Sequence, residues 1–464
     1  MKRALLWFRG KDLRLADHQG VQRALGCDEV IPVFVLDPYY FEPKNAQELP
    51  HRMQYLLQSL KELAEAIAAC GSRLIIRRGR SIDVIPKLAE EWQVDEVIAQ
   101  GWTEGFGRKR DRIVADRLQC ALTLVTGETL IMPGTIRTQQ GSAYSVFTPF
   151  WKRFLAQAEI GEPLPTPDSL PSLPQGIAAT SESIPDLSDL GISMNPQLIR
   201  GGTVSAWQRL ESFLSGPAAN YSKARNRPDQ EGTSRLGPDL KFGTLSARQV
   251  HTEALLDGRK SETGSFRRQL VWRDFAHDLM WNNPHLLEKP FRPKFEGFPW
   301  IGKDDHWHAW VNGTTGYPIV DAASRQLLAT GYIPNRARMI TASFLTKHLL
   351  IDYRRGEEHF MKWLTDGDWI QNNFGWQWSA GCGCDAQPYF RVFNPILQGQ
   401  RFDPTGAYVR QWVPEIRDLP KKFIHTPWKA GKSLFQNQYP EPIVDHATAR
   451  KRFLEHAKSY LASV

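Results

Sequence analysis

Five short apolar runs, Ala4–Phe8, Val30–Leu36, Leu74–Arg77, Val97–Ala99 and Leu122–Val125, alternate with amphipathic stretches in the first 135 residues. No other feature narrows the fold so far. Each run is too short for a buried helix, and most lack the polar alternation of a strand with one wet face. Between them, Met53–Cys70 and Arg108–Leu118 carry helical periodicity. Parallel strands need a crossover of helix length, so this alternation predicts an α/β fold, a doubly wound parallel sheet. No Gly-x-Gly-x-x-Gly follows the first run, and a dinucleotide site of the usual kind is unsupported there.

The chain has 464 residues, more than one such unit needs. Residues 161–198 hold seven prolines among Ser, Asp and Gly, from Pro163 to Pro196. Proline at that density denies helix and central strand, so a long surface linker is expected. From about Thr203 to Val464 the pattern is mostly helical, as in Phe266–Trp281 and Ala337–Trp363. The expected organisation is an α/β domain over 1–135, a connector over 136–202 and an all-α domain over 203–464.

Five cysteines, odd in number, match no disulfide or zinc spacing. Cys382-x-Cys384 is too tight for a usual zinc knuckle and reads as small packed residues, so no metal is expected. No segment approaches the ~18 apolar residues of a membrane span, and the opening MKRALLWFRGKDLRLADH has no signal-peptide core. The expectation is a reduced, cytoplasmic monomer away from the membrane. A net charge of +8 and pI near 9.1 lean towards a polyanionic partner.

Residues 366–404, DGDWIQNNFGWQWSAGCGCDAQPYFRVFNPILQGQRFDP, carry most of the chemistry. Indoles flanking polar residues make poor core, but they suit a pocket wall where flat rings meet flat ligands and amides read polar edges. Upstream, EGTSRLGPDLKFGTLS (231–246) offers N–H groups and hydroxyls in a loop ahead of a helix. That geometry can hold a diphosphate, although alone it reads more simply as a helix cap. In GYIPNRARMITASF (331–344), Arg336 and Arg338 can be a solvated helix face.

These segments, with WFRGKDLRLADH at the N-terminus and VFTPF at Val146–Phe150, resemble the photolyase/cryptochrome family over essentially the whole chain. The resemblance implies a C-terminal FAD-binding domain and DNA carrying pyrimidine dimers as partner. It implies that Tyr221, Arg225, Thr233, Ser234, Arg235, Leu236 and Gly237 hold the FAD diphosphate. Phe266, Gln269, Arg273, Asn335, Arg338, Asp366, Gly367, Asp368 and Asn372 would line the rest of the flavin, with Asn372 facing N5. An Asp at that last place, as in plant cryptochromes, would favour N5 protonation; Asn is the photolyase-like choice. Trp272 and Trp378 would grip a flipped-out dimer, with Gln269, Asn335, Arg336, Met339 and Gln398 as further contacts. Photoreduction would run through Trp376, Tyr353 and Trp300.

Four departures qualify the resemblance. Gln269 stands where dimer photolyases usually present Glu; (6-4) photolyases use Gln there, but their paired histidines are replaced by Asn335 and Met339. Tyr353 takes the middle place of a three-Trp chain, so a slower hop or a detour through Trp363 or Trp369 is expected. His348 replaces a carboxylate that pairs with the arginine matched by Arg338, leaving that cation less neutralised or pH-sensitive. FGRKRD (106–111) lacks the Asn-Glu pair that holds folate, so any second chromophore stays open. The leading reading is light-driven repair of cyclobutane dimers from reduced FAD. A cryptochrome-type blue-light receptor is the alternative, and a nucleotide-binding α/β protein with an unrelated helical appendage is a distant third.

Overall fold

The structure is a computed structural model that describes residues 1–256, 263–385, 388–431 and 439–464. It divides into two compact units. The first comprises Met1–Ser215, Ser234–Pro284 and Thr365–Gly367; the second comprises Gly216–Thr233, His285–Leu364 and Asp368–Val464.

Strands β1 (Arg3–Phe8), β2 (Glu29–Leu36), β3 (Ile75–Arg78), β4 (Glu96–Gln100) and β5 (Ala121–Val125) form one parallel sheet in the order β3-β2-β1-β4-β5. Each lies within a residue or two of its expected run. The three central strands β2, β1 and β4 are buried on both faces, which is why they read as unbroken apolar runs, while the edge strand β5 is half-exposed. Ala4, Leu6, Phe8, Val30 and Phe34 join one core with Met53, Leu57, Leu60 and Ile67 of helix Pro50–Ala69. Leu5, Trp7, Ile31, Val33 and Val97 join another with Ile85 and Leu88 of helix Ser81–Glu91. The period-2 switch along each strand thus feeds two layers.

The Pro-rich segment is irregular as expected, apart from single 3₁₀ turns at Ile177–Thr180 and Ser188–Leu190. It is more than a tether. Leu170 and Leu190 reach one core and Ile177 the other, and Ser172 bridges Glu29 as an isolated parallel pair. Helix Gly264–Asn282 also belongs to this unit; Asp274 accepts from Leu130 N at 2.9 Å and Asp278 from Gly134 N at 2.6 Å.

The second unit is helical, with a core that includes Trp310, Leu327, Ile340, Phe344, Phe360, Trp376 and Tyr408. The continuous helix expected over Ala337–Trp363 is broken. Helix Asn335–Ser343 passes into a π turn at Phe344–His348, Leu350 adopts a φ of 54°, and helix Tyr353–Trp363 restarts under an Asp352 cap. Residues 344–351 are all buried, so apolar periodicity could not mark the break; the Asp352 carboxylate, accepting from Arg354 N at 3.0 Å, was the available signal.

Candidate functional site

The loop ahead of helix Gly237–Phe242 is shaped by close backbone approaches. A Cβ on Gly237 would sit 2.4 Å from Asp366 Oδ2, so only glycine lets this loop meet a residue almost 130 positions away. Ser234 Oγ accepts weakly from Leu236 N at 3.4 Å, Leu236 is buried, and Arg235 holds a left-handed φ of 52°. Non-glycine residues in that region cost ~1 kcal/mol or more and cluster where a ligand needs the shape. Gly367 accepts from Arg52 Nη1 at 3.4 Å through its carbonyl. Phe266, Gln269 and Arg273 share one face of helix Gly264–Asn282: Phe266 is buried against Phe213, Gln269 is half-buried, and Arg273 bonds the carbonyls of Glu128 and Leu240. Trp272, half-buried on that helix, stacks face to face on Phe147 at 3.6 Å, which steadies its ring.

In the second unit, a Cβ on Gly232 would collide with Ala224 at 2.5 Å, so the loop carrying Thr233 lies directly on helix Tyr221–Ala224. Arg225 lies over the Tyr221 ring at 5.6 Å, and Thr233 Oγ1 shares a 2.8 Å hydrogen bond with Tyr332 OH. Tyr332 leads into the helix that carries Asn335, Arg336, Arg338 and Met339. Asn335 is exposed and approaches Met339 Sδ at 3.6 Å, so the two share a face. Arg336 bonds Asn226 Oδ1 at 2.8 and 3.2 Å and lies over Phe402 at 4.3 Å. Burial, then the neighbouring Arg225, Arg401 and Arg391, hold its guanidinium below the usual range. Guanidinium groups that repel one another mark a site of positive potential, the complement of phosphate. Gln398 is half-buried on helix Pro395–Phe402, with a buried Oε1 that has no hydrogen-bond partner among the described residues.

Helix Trp369–Ala380 carries the remainder. Asp368 caps it, accepting from Ile370 N and Gln371 N at 3.0 Å each. Trp376 and Trp378 are two apart and so leave the helix on different sides: Trp376 is buried, Trp378 half-buried. Asn372 donates its amide nitrogen to the Glu357 carbonyl at 2.9 Å. That bond fixes which end of the amide is which, and the polar atom it leaves over is the oxygen, an acceptor. Glu357 is buried, and its carboxylate accepts from Asn373 at 3.1 and 3.3 Å. Tyr353 and Trp300 meet edge to face at 6.3 Å.

One expectation changes. His348 does not replace the carboxylate partner of Arg338. It is buried, stacks on Phe344 and shares a 2.8 Å hydrogen bond with His446, while Arg338 bonds the Ile333 carbonyl at 2.9 Å. Burial and the neighbouring His446 push it down to about 3, so it does not titrate near neutrality. Trp376 meets the Trp310 and Phe360 rings edge to face at 6.1 and 4.9 Å. Sequence reasoning also missed Tyr332, Asn226, Phe147 and Glu357. Each acts by contact with a residue distant in sequence, a relation no local pattern reports. In FGRKRD, Arg108 covers the Trp281 ring at 4.1 Å and Asp111 pairs with buried Arg9 at 2.6 Å.

Residues 266–459 match the FAD binding domain of DNA photolyase, and residues 4–168 match the DNA photolyase family. A deoxyribodipyrimidine photo-lyase from Synechococcus sp. is 38% identical over 97% of this chain and 95% of its own length. Among solved structures, a bacterial class III photolyase from Agrobacterium tumefaciens superposes with a TM-score of 0.91 at 34% identity, covering 99% of this chain and 98% of that one. A cryptochrome from Synechocystis sp. superposes at 0.89 with 28% identity, covering 98% and 99%.

Proposed function

Because the chain belongs to the DNA photolyase family, we propose that it is a deoxyribodipyrimidine photolyase that repairs cyclobutane dimers in light. Its cofactor is FAD, which when bound and reduced supplies the electron that splits the dimer. The donor set fits that cofactor: Arg225 and Arg235 offer cations to a diphosphate, Thr233 and Ser234 offer hydroxyls, and Gly232 and Gly237 admit the backbone contacts. Asn372 carries the reading. With its nitrogen fixed on Glu357, the amide presents an acceptor to a reduced ring's N5–H without adding charge. Asp366 and Asp368 serve the ribityl side. The arginine group around Arg336 draws in the DNA backbone, and the distant nucleotide-binding reading falls with the FAD-domain match.

Trp272 and Trp378 hold the extruded dimer. Stacking worth ~1–3 kcal/mol per base offsets the few kcal/mol of extrusion, which a dimer lowers by pairing poorly. Gln269 hydrogen-bonds the bases with one donor and one acceptor end. A (6-4) lesion needs a titrating group to move a hydroxyl, and neither Asn335 nor Met339 titrates. We also propose that the protein works as a cytoplasmic monomer; among the described residues no helix is long and apolar enough to cross a membrane.

Illuminating the reduced protein with defined substrates tests the reading. Cyclobutane dimers are expected to be split and (6-4) lesions left intact, and Gln269→Glu should raise dimer repair about threefold or more, the ~0.7 kcal/mol of a better acceptor. Repair of (6-4) lesions would refute the lesion choice. Inertness to both lesions, with tight binding of undamaged DNA, would establish the cryptochrome reading instead.

A further inference from the structure

The arginine at the centre of the positive group in the second unit is held by a neutral amide. Arg336 donates from Nε and Nη2 to Asn226 Oδ1, at 3.2 and 2.8 Å. Those two N–H groups form the side edge of the guanidinium, which leaves the end edge, Nη1 with the second Nη2 hydrogen, as a parallel fork. The guanidinium also lies over the buried Phe402 ring at 4.3 Å, and Arg401 lies over the same ring at 5.1 Å. Asn226 follows the short helix Tyr221–Ala224 and reaches Arg336 across 110 positions of sequence.

The charges that bear on Arg336 are of one sign: Arg225, Arg401 and Arg391. Two acids in the same region hold other partners. Asp229 accepts from Arg227 Nε at 2.8 Å and from Nη2 at 2.5 Å, while Asp403 accepts from Tyr408 N at 3.2 Å and Val409 N at 3.0 Å.

We propose that Asn226 is a positioning residue for DNA, fixing the fork of Arg336 for a backbone phosphate while leaving its positive charge undiminished. This role rests on the reading of Arg336 as a DNA phosphate contact. A long arginine side chain samples many rotamers, and stopping it on a phosphate costs entropy at the moment of binding. A partner that holds it beforehand lowers that cost. A carboxylate would hold it equally well, but would cancel the charge, and phosphate would then have to displace an ion pair. An amide oxygen accepts both hydrogen bonds and carries no charge. The same loop displays the alternative: Arg227, one residue on, is closed by the Asp229 carboxylate in a two-point pair and so attracts phosphate less.

The FAD-loaded protein is titrated in the dark, over a range of salt, with a duplex carrying one cyclobutane dimer. Asn226→Ala should weaken binding about fivefold, ~1 kcal/mol, through looser orientation, and leave the slope of log K against log salt unchanged. Asn226→Asp should weaken it about tenfold, ~1.4 kcal/mol, and lower that slope by about one, close to the ~0.9 contributed by each neutralised phosphate of a duplex. Combining Asn226→Ala with Arg336→Gln separates positioning from a general loss of structure, because beside the glutamine the alanine change should cost less than about twofold. In light, the alanine variant should raise KM for the dimer about fivefold while its rate at saturation stays within about twofold. An absent alanine effect, an effect that persists in full beside Arg336→Gln, or an aspartate variant with wild-type affinity and slope overturns the role of Asn226. If Arg336→Gln by itself binds with unchanged affinity and slope, the phosphate contact fails, and the DNA reading of this arginine group fails with it.

Discussion

Replacing Trp376 by phenylalanine is expected to slow photoreduction of the bound flavin by about 100-fold or more, some 2.7 kcal/mol on the barrier, while FAD stays bound. The ring is almost wholly buried, and only the missing Cβ of Gly356 makes room for it: a methyl there would lie 2.2 Å from the indole. Its Nε1–H is buried and finds no acceptor among the described residues. Phenylalanine therefore breaks no hydrogen bond and leaves a gap of a few atoms, at ~1–2 kcal/mol of stability. What it removes is an oxidisable ring. Flavin absorbance before and after blue light in the presence of a thiol reads the result directly. Rapid bleaching of the oxidised flavin in the variant would mean that Trp376 is not its neighbour.

The second large effect concerns Glu357. Desolvation pushes its carboxyl up to about 8, opposed by the Asn373 hydrogen bond and Arg354. In the unfolded chain a glutamate titrates near ~4.3. Between those values the folded protein holds a proton that the unfolded chain lacks, so stability falls as pH rises, by up to ~1.4 kcal/mol per unit from this group. Below about pH 4 both states are protonated and the slope vanishes. Glu357→Gln mimics the neutral acid, keeps an acceptor for Asn373 and cannot ionise. Its apparent Tm should match the wild type below about pH 4 and exceed it increasingly above that, by on the order of 1–2 kcal/mol near pH 5.5 and 4–5 kcal/mol near pH 8.5. Parallel Tm profiles would show that the carboxyl is not held neutral. On the proposed placement of Asn372 at the flavin, the consequence would reach the cofactor: Asn372 hangs from the Glu357 carbonyl, and a neutral side chain there would avoid a second anion near a reduced, negatively charged ring.

Much of this protein was legible in the order of its residues. Strands buried on both faces leave apolar runs of strand length, and crossover helices leave 3.6-residue periods, so the five-stranded parallel sheet followed from local pattern. Motifs such as the Gly-Thr-Ser loop, the Asn pair and Trp-x-Trp were equally visible, because each packs its chemistry into a few consecutive positions. The tertiary structure alone decided the break between His348 and Tyr353, since a fully buried segment looks the same to a periodicity argument whether or not its helix continues. It alone decided that His348 faces His446, that Gly237 meets Asp366, and that Trp376 meets Trp310. Those relations join residues 66 to 129 positions apart, and the interval between two residues in a chain says nothing about which side chains meet once helices have packed.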